Sequence, residues 1–199
     1  VFVFSSCMSV TLESVAGEKE RGTLATILVT SASRVDIALG KILPLACVSL
    51  IGAASSFLGV AFSLPTLMGV SLEAAVAGLG AAEFFFIFLL IVSVVPLIVA
   101  AIATVSTLSR SVKEASGYTS VIMILVMVLS VVASFVPGIG NWVVAVPVLN
   151  AVAAMQGVLT GAAQVWMCLT AVALNLVYTA LLAFLISRLL SSERVMFGT

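Results

Sequence analysis

The sequence predicts an all-α integral membrane protein, a polytopic helical bundle with one polar segment outside the membrane. Of its 199 residues, 63% are hydrophobic and only 8% are charged, and the mean hydropathy is +1.37. Soluble domains carry about 25% charged residues, so this chain has too few to cover a water-facing surface. Half of the charged residues lie between Glu13 and Lys41, and long apolar stretches follow them.

The first apolar stretch, residues 1–12, is too short to cross a membrane. The hydrocarbon layer is about 30 Å thick and requires about 20 helical residues. The stretch begins with Val1 rather than Met and has no basic region before it, unlike a signal peptide. We therefore expect residues 1–12 to be the inner end of a truncated span, in a C-terminal fragment of a longer protein.

Residues 13–33 form the polar segment, which we expect to lie in the cytosol as a helical hairpin. The stretch Glu13–Arg21 is rich in good helix formers, and Gly22 is a natural C-terminal break. Thr23 is suited to cap a second short helix, Leu24–Val29. The apolar side chains of that helix share one face, as in a helix that lies against a membrane or a partner.

The first complete span is predicted at residues 34–64. Ser33 and Asp36 have the spacing of a capping box, which marks the start of a helix. Small residues within the span either allow close helix packing or are simply tolerated in lipid, and the sequence leaves both readings open. The small residues, which form two small-xxx-small pairs, are Gly52, Ser55, Ser56 and Gly59.

Three further spans are predicted at residues 81–108, 118–136 and 165–190, which makes four complete spans. A short polar turn, residues 109–117, separates the first two of these. Residues 137–164 are uncharged and interrupted by Pro and Gly. We expect them to form an outer re-entrant region of two half-helices, because irregular backbone at that depth must be buried in protein or line a cavity.

The distribution of basic residues predicts the orientation. Every Lys and Arg falls within residues 19–41, 110–113 or 188–194. With four complete spans, these three segments lie on the same side of the membrane, which the positive-inside rule assigns to the cytosol. The prediction is a multi-pass protein of a prokaryotic plasma membrane, with a cytosolic C-terminus.

Two polar residues inside predicted spans are candidates for function. An ionisable group such as Glu83 within a span can mark a functional site. However, Glu83 lies close enough to the membrane boundary to reach water, and we favour this interpretation over a functional role. Asn175 lies near the middle of the last span. We expect it to form a hydrogen bond between helices rather than to contact a substrate.

The composition excludes several chemistries. The chain has no His, so His-based catalytic triads are excluded, and it has neither a Cys/His spacing typical of zinc sites nor a Gly-rich phosphate loop. Its three Cys residues lie in apolar stretches and are interpreted as packing residues. The net charge is zero, which argues against binding nucleic acid. If the protein uses ATP, a different polypeptide binds it.

Residues 13–24, ESVAGEKERGTL, resemble the permeases of the second type of ABC exporter, and in particular the sodium-export branch. Further matches lie at Leu28–Thr30, Ser33–Arg34 and Leu39–Lys41. Two later segments also resemble the family: Val146–Ala151 with Gly161, and the tail Glu193–Phe197. The chain departs from the branch pattern at Ala25, where the branch has an acid, and at Ala32, where it has a proline.

The resemblance implies a permease that binds no cofactor itself and works with an ABC ATPase subunit, which binds ATP, and with a second permease half. It implies that the polar hairpin docks on the ATPase, and that Pro147 and Asn150 shape an outer re-entrant gate. The implied ATPase-coupling residues are Glu18, Lys19, Glu20, Arg21, Gly22, Thr23 and Leu24.

Two other classes of protein are less compatible with the sequence. An intramembrane protease requires a Ser-His pair, paired aspartates or an H-E-x-x-H metal motif. The chain has no His and one Asp, Asp36, at a predicted membrane edge. A secondary transporter usually shows internal repeats and ionisable groups at the midplane. The sequence shows neither feature, so both classes are alternatives to the exporter permease.

Overall fold

The computed structural model describes residues 2–23, 33–67, 69, 80–135, 145–161 and 165–190, and this part of the chain is helical, without strands. The six helices are α1 (Phe2–Glu20), α2 (Arg34–Leu67), α3 (Ala81–Leu108), α4 (Val112–Phe135), α5 (Leu149–Leu159) and α6 (Val165–Leu189).

Four of the helices, α2, α3, α4 and α6, are long and apolar enough to cross a membrane. The prediction of a polytopic bundle with four complete spans is therefore confirmed. The observed bounds agree closely with those predicted for α2, α3 and α6. The shorter α5 lies within the predicted re-entrant region, and the rest of that region, apart from residues 145–148, 160 and 161, lies outside the described residues.

Helix α3 is the centre of the bundle and contacts each of the other five helices. In its most apolar stretch, 61% of the residues are buried inside the protein, the largest share among the four spans. A helix that is apolar on all sides is best placed where neighbours surround it. The fully buried side chains of its middle turns include Leu90, Val95, Val99 and Ile102.

Helix α4 begins at Val112, earlier than the predicted start of the span at residue 118. Ser111 and Glu114 form a capping box at this end: Glu114 N–H donates to Ser111 Oγ at 3.2 Å, and Arg110 N–H donates to the Glu114 carboxylate at 2.8 Å. The first turns of α4 are therefore polar and helical. The sequence interpretation took these polar residues for a turn because they interrupt the apolar run.

The predicted capping box before α2 is confirmed. Asp36 N–H donates to Ser33 Oγ at 3.1 Å, and the Ser33 hydroxyl donates to Asp36 Oδ2 at 2.7 Å. The hydroxyl thus satisfies one of the backbone donors left open at a helix N-terminus.

The small residues of α2 allow one close approach to α1. A Cβ added to Gly52 would lie 3.1 Å from the Cβ of Ser6, which is tighter than ordinary van der Waals contact. A Cβ added to Gly59 would meet nothing within 4 Å. Close helix packing therefore explains Gly52, but the structure gives no such reason for Gly59.

Candidate functional site

With the exception of Glu83, the charged residues of the described helices collect at one end of the bundle, which we call the charged end. It contains the C-terminal turns of α1, α3 and α6 and the N-terminal turns of α2 and α4. Val15, Lys41, Thr107 and Ile186, which belong to four of these helices, line one small cavity there. The basic residues of this end are Lys19, Arg21, Arg34, Lys41, Arg110, Lys113 and Arg188.

Helix α1 ends where the sequence predicts. Gly22 has φ +75°, a left-handed conformation that side chains other than glycine rarely adopt. Its N–H donates to Lys19 O at 3.1 Å, and the Thr23 hydroxyl donates to Glu18 O at 3.1 Å. These bonds satisfy carbonyl groups left open at the helix terminus. The predicted short helix, Leu24–Val29, lies outside the described residues.

Glu18 joins α1 to α2. Its carboxylate accepts a hydrogen bond from Lys41 Nζ and forms an ion pair with it. The Lys41 side chain is 14% exposed and that of Glu18 is 31% exposed, so water screens this pair only in part. Ser14 and Gly40 lie beside the pair in a cleft of about 410 Å³ between the two helices.

Lys19 joins α1 to α3. Its Nζ donates a hydrogen bond of 2.7 Å to the carbonyl oxygen of Thr107, in the last turn of α3. Burial lowers the pKa of Lys19, and so does Arg110, whereas the nearby Glu114 raises it. The last four carbonyl groups of a helix have no partner within it and carry partial negative charge. The carbonyl end of α3 therefore offsets part of the cost of burying the Lys19 ammonium group.

Glu20 joins α1 to α4. Its Oε2 accepts a hydrogen bond of 2.9 Å from the backbone N–H of Val112, the first residue of α4. This N–H is one of the open donors at the helix N-terminus, where partial positive charge favours a carboxylate. Lys19 and Glu20 thus place a cation at the end of α3 and an anion at the start of α4, on both sides of one turn.

The residues that follow face away from the bundle. Arg21, Gly22 and Thr23 are exposed. Arg21 lies 3.8 Å from Glu13 Oε1, and these two side chains are 73% and 77% exposed. Of the seven predicted coupling residues, Glu18, Lys19 and Glu20 bond to neighbouring helices, although Glu20 is itself exposed. The next three residues are exposed, and Leu24 lies outside the described residues.

The opposite end of the bundle contains α5 and the predicted gate residues. Pro147 is exposed, whereas Asn150 is buried. Asn150 Oδ1 accepts a hydrogen bond of 2.6 Å from Ala151 N–H, while its Nδ2 is buried without a hydrogen-bond partner in the described part of the chain. Tyr178 of α6 donates a hydrogen bond of 2.6 Å to Ala145 O and holds the segment before α5.

Val148, which directly precedes α5, has φ 70° and ψ −46°. Positive φ is a strained conformation for a β-branched residue. Strain of this kind persists only where the surrounding structure holds it. Val148 also lines an apolar groove of about 420 Å³ between α1, α3, α4 and α5, together with Phe4, Ile98, Met123 and Met155.

The two polar candidates inside the spans have different surroundings. Asn175 Nδ2 donates to Ser93 Oγ at 3.3 Å, so the expected hydrogen bond between helices is confirmed. Glu83 lies in the first turn of α3 at the opposite end, where its carboxylate folds back against Gly80. It lines a cavity of about 180 Å³ with Gly161 and Cys168.

No three His, Cys, Asp or Glu side chains among the described residues are grouped to hold a metal ion.

The sequence interpretation did not find the partners of Lys19 and Glu20. Each partner is a backbone group far along the chain, at Thr107 and Val112, so no local motif marks the pairs. The Ser111 and Glu114 spacing was a usable signal for the start of α4. Together with a base and an acid at adjacent positions, it would have suggested where the end of α1 packs.

A family model described as ABC-2 family transporter protein matches residues 1–191. No curated protein and no solved structure matches the chain significantly. The match spans nearly the whole chain, including the charged end, α5 and the four spans, and it does not specify a branch of the family. The chain is therefore a multi-pass membrane protein that belongs to the ABC-2 transporter family, as a permease component of an ABC transporter.

Proposed function

We propose that the protein is the transmembrane subunit of an ATP-driven exporter whose charged end docks on a separate ABC ATPase subunit. The observation that carries this proposal is the exposed end of α1. Arg21, Gly22 and Thr23 project from the charged end, within the segment that resembles the coupling segment of ABC exporter permeases. The subunit itself is non-catalytic, and ATP is bound and hydrolysed by the partner.

The proposed orientation places the charged end in the cytosol. The described Lys and Arg residues lie at this end, as the positive-inside rule requires of a cytosolic face. Helix α6 ends at the same face, so the C-terminus is cytosolic in this proposal. The proposed location is the prokaryotic cytoplasmic membrane, where the ATPase has access to cytosolic ATP.

Arg21 is the strongest candidate for contact with the ATPase. Among the described residues, its guanidinium forms a long, exposed ion pair with Glu13, and such pairs contribute little to stability. A partner carboxylate can therefore replace Glu13 at small cost. A second permease half, identical or different, completes the pathway in this proposal, and Pro147 and Asn150 shape its outer gate.

Sodium ion is the cargo that the resemblance to the sodium-export branch implies. Drugs, lipids and peptides are the alternatives, because the central turns of the described spans carry no charged side chain that would select one class. The apolar groove beside Val148 is compatible with an apolar cargo. Uptake of radioactive sodium, a cationic dye and a labelled lipid by inverted vesicles containing the complex would identify the class.

A membrane enzyme and a secondary transporter remain the competing functions. A secondary transporter would move cargo with an ion gradient and without an ATPase. The proposal therefore requires that an ATPase subunit co-purifies with the permease and that the permease stimulates its hydrolysis of ATP. If vesicles that contain the permease without the ATPase transported cargo when an ion gradient was imposed, the exporter proposal would be wrong.

The decisive experiment is Arg21→Glu in the complex reconstituted in lipid nanodiscs. We expect the affinity for the ATPase subunit to fall about tenfold or more, because a favourable charge contact becomes a repulsive one. Membrane insertion should not change, since Arg21 is exposed and lies outside the four spans. Lys113→Glu is the matched control: this residue is exposed at the same end but on α4. Unchanged affinity and ATP hydrolysis in Arg21→Glu would overturn the proposed docking site.

A further inference from the structure

The last turn of α1 bonds to neighbouring helices, whereas Arg21, which follows it, is exposed. We infer that these two sets of residues have different roles in coupling. We propose that Glu18, Lys19 and Glu20, called here the α1 clamp, are positioning residues. They transmit displacement of the polar hairpin to α2, α3 and α4 and do not contact the ATPase. This inference rests on the proposed function, because it assumes that a partner moves the hairpin.

The first argument is the direction of the three side chains. Successive residues on a helix point about 100° apart, so three consecutive side chains find partners only if other helices surround the turn. Glu18 binds Lys41 of α2, Lys19 binds the Thr107 carbonyl of α3, and Glu20 binds the Val112 N–H of α4. One turn of α1 is therefore bonded to three helices at once.

The second argument is accessibility. Lys41 and Glu18 are largely covered and Lys19 is partly buried against α3, whereas Arg21 is 73% exposed. Glu20 is exposed as well, but its carboxylate is bonded to the N-terminus of α4. A partner that used the clamp side chains would have to break bonds inside the permease. Within the described part of the chain, a partner that used the Arg21 side chain would have to break the exposed ion pair with Glu13. Partner contact and internal transmission thus fall on adjacent but separate residues.

The third argument is how α4 is held. In its most apolar stretch only 11% of the residues are buried inside the protein, the lowest share among the four spans. The bond from Glu20 to Val112 fixes the first residue of this weakly packed helix to the end of α1. When the hairpin is displaced, α4 should follow through this bond, while Lys19 carries α3 with it.

The clamp lies far from the other end of the bundle. From Phe4, which lines the groove beside Val148, to Glu20 the rise of α1 is about 24 Å. A displacement at the clamp is therefore detectable at the opposite end only if the helices carry it. This distance allows a test in which binding of the ATPase and transmission are measured at separate places.

The test compares Glu20→Ala with Glu20→Gln in the complex with the ATPase. Glutamine keeps the length of the side chain and a carbonyl oxygen that can accept from Val112 N–H, but it removes the charge. The reporter is the rate of maleimide labelling at Pro147→Cys, with and without a non-hydrolysable ATP analogue. Cys47, which is exposed, is first replaced by Ala, while Cys7 and Cys168 are buried. Thr160→Cys, also exposed at this end, is the second reporter if the first disturbs folding.

We expect Glu20→Ala to bind the ATPase within about twofold of the wild-type affinity, while its ATP-dependent change in labelling falls about fivefold or more. Glu20→Gln should keep both affinity and change within about twofold of wild type. If Glu20→Ala keeps the labelling change, the clamp does not transmit and the inference is overturned. If both variants lose affinity, Glu20 contributes to binding of the ATPase, and the inference is overturned as well. The inference would also be overturned if the ATP analogue did not change the labelling rate of the complex that carries the wild-type clamp.

Failure of the clamp and failure of the proposed function are distinguishable. Arg21→Glu reports on docking, because the expected result is loss of affinity for the ATPase. If Arg21→Glu binds normally, the proposed docking site is wrong, whatever the labelling shows. If Arg21→Glu loses affinity while Glu20→Ala keeps full transmission, docking stands and the clamp inference is wrong.

Discussion

The Nζ atom of Lys19 lies 2.7 Å from the carbonyl oxygen of Thr107, which joins the end of α1 to the end of α3. The next residue, Glu20, accepts a hydrogen bond from the first backbone N–H of α4. Two adjacent side chains of opposite charge thus cap the two helix ends that flank one turn, each at the end that favours its charge. We therefore expect the stability of the protein to depend more on which of the two positions carries which charge than on the net charge.

We predict that exchanging the two charges, in the double variant Lys19→Glu and Glu20→Lys, destabilises the protein by about 1–2 kcal/mol. The exchange keeps the composition and the net charge. However, it places an anion at the C-terminus of α3 and a cation at the N-terminus of α4. The free energy of unfolding of the purified protein in detergent, from denaturant titration, checks this. Equal stability of the exchanged variant would show that the caps contribute nothing.

The lowered pKa of Lys19 predicts a dependence on pH. Burial is the largest cause of the shift from the ordinary value of 10.5. Between the folded and unfolded pKa values, the unfolded chain binds more protons than the folded one, so stability rises with pH in that window. At lower pH both states are protonated, and the folded protein bears the full cost of burying the charge.

The measurement is the free energy of unfolding of the wild type and of Lys19→Met from about pH 8 to about pH 11. The difference between the two proteins should shift in favour of the wild type as the pH approaches 10.5. Titration of other lysines affects both proteins equally and cancels in the difference. A difference that does not change with pH would contradict the direction of the shift.

The ion pair of Glu18 and Lys41 predicts a coupling between α1 and α2. Because the pair is largely covered, we expect each single charge reversal to cost about 1–3 kcal/mol, and the double reversal to recover most of it. The matched cycle on Glu13 and Arg21, an exposed pair, should give a coupling of about 0.5 kcal/mol or less. Equal couplings in the two cycles would contradict the assigned difference in burial.

The sequence predicted the spans well because hydropathy and length decide them. The bounds of α3 were predicted at 81–108, and the helix occupies Ala81–Leu108. The capping box at Ser33 and the break at Gly22 were also predictable, since both depend on a few adjacent residues. The error at the start of α4 arose because polarity was taken as the end of a helix, although polar residues are common in a first helical turn.

The division of the coupling segment could not be predicted. Composition gives Glu18, Lys19, Glu20 and Arg21 the same character, and only the packing of the helices decides which of them face the bundle. The partners of Lys19 and Glu20 are backbone groups, so no complementary side chain reveals them in the sequence. The amide nitrogen of Asn150, which has no hydrogen-bond partner among the described residues, likewise depends on packing that the sequence does not show.

The contact between Gly52 and Ser6 predicts different effects of alanine at the two glycines of α2. Gly52→Ala should destabilise the protein by about 1–2 kcal/mol, because the added Cβ would lie 3.1 Å from that of Ser6. Gly59→Ala, the matched control in open space, should be neutral or up to about 1 kcal/mol more stable, since alanine favours the helix. Thermal unfolding in detergent checks both. If both variants behave alike, α1 and α2 do not approach closely at Gly52.

The strained backbone of Val148 predicts that glycine is better than valine at this position. With φ 70°, Val148→Gly should stabilise the protein by about 1 kcal/mol, although weaker apolar packing in the groove offsets part of this gain. Val152→Gly is the control, because Val152 lines the same groove from within α5. It should lose about 1 kcal/mol or more through packing and helix propensity.

The pair of variants separates strain from packing, since both remove a valine side chain from one groove. If Val148→Gly is as destabilised as Val152→Gly, the valine is not strained and the segment before α5 has no stored energy to release. If Val148→Gly is more stable than the wild type, valine at this position lowers the stability of the protein. A strained residue beside the proposed gate residues Pro147 and Asn150 can then favour a second arrangement of this segment. Labelling at Thr160→Cys would show whether relief of the strain alters the response to ATP.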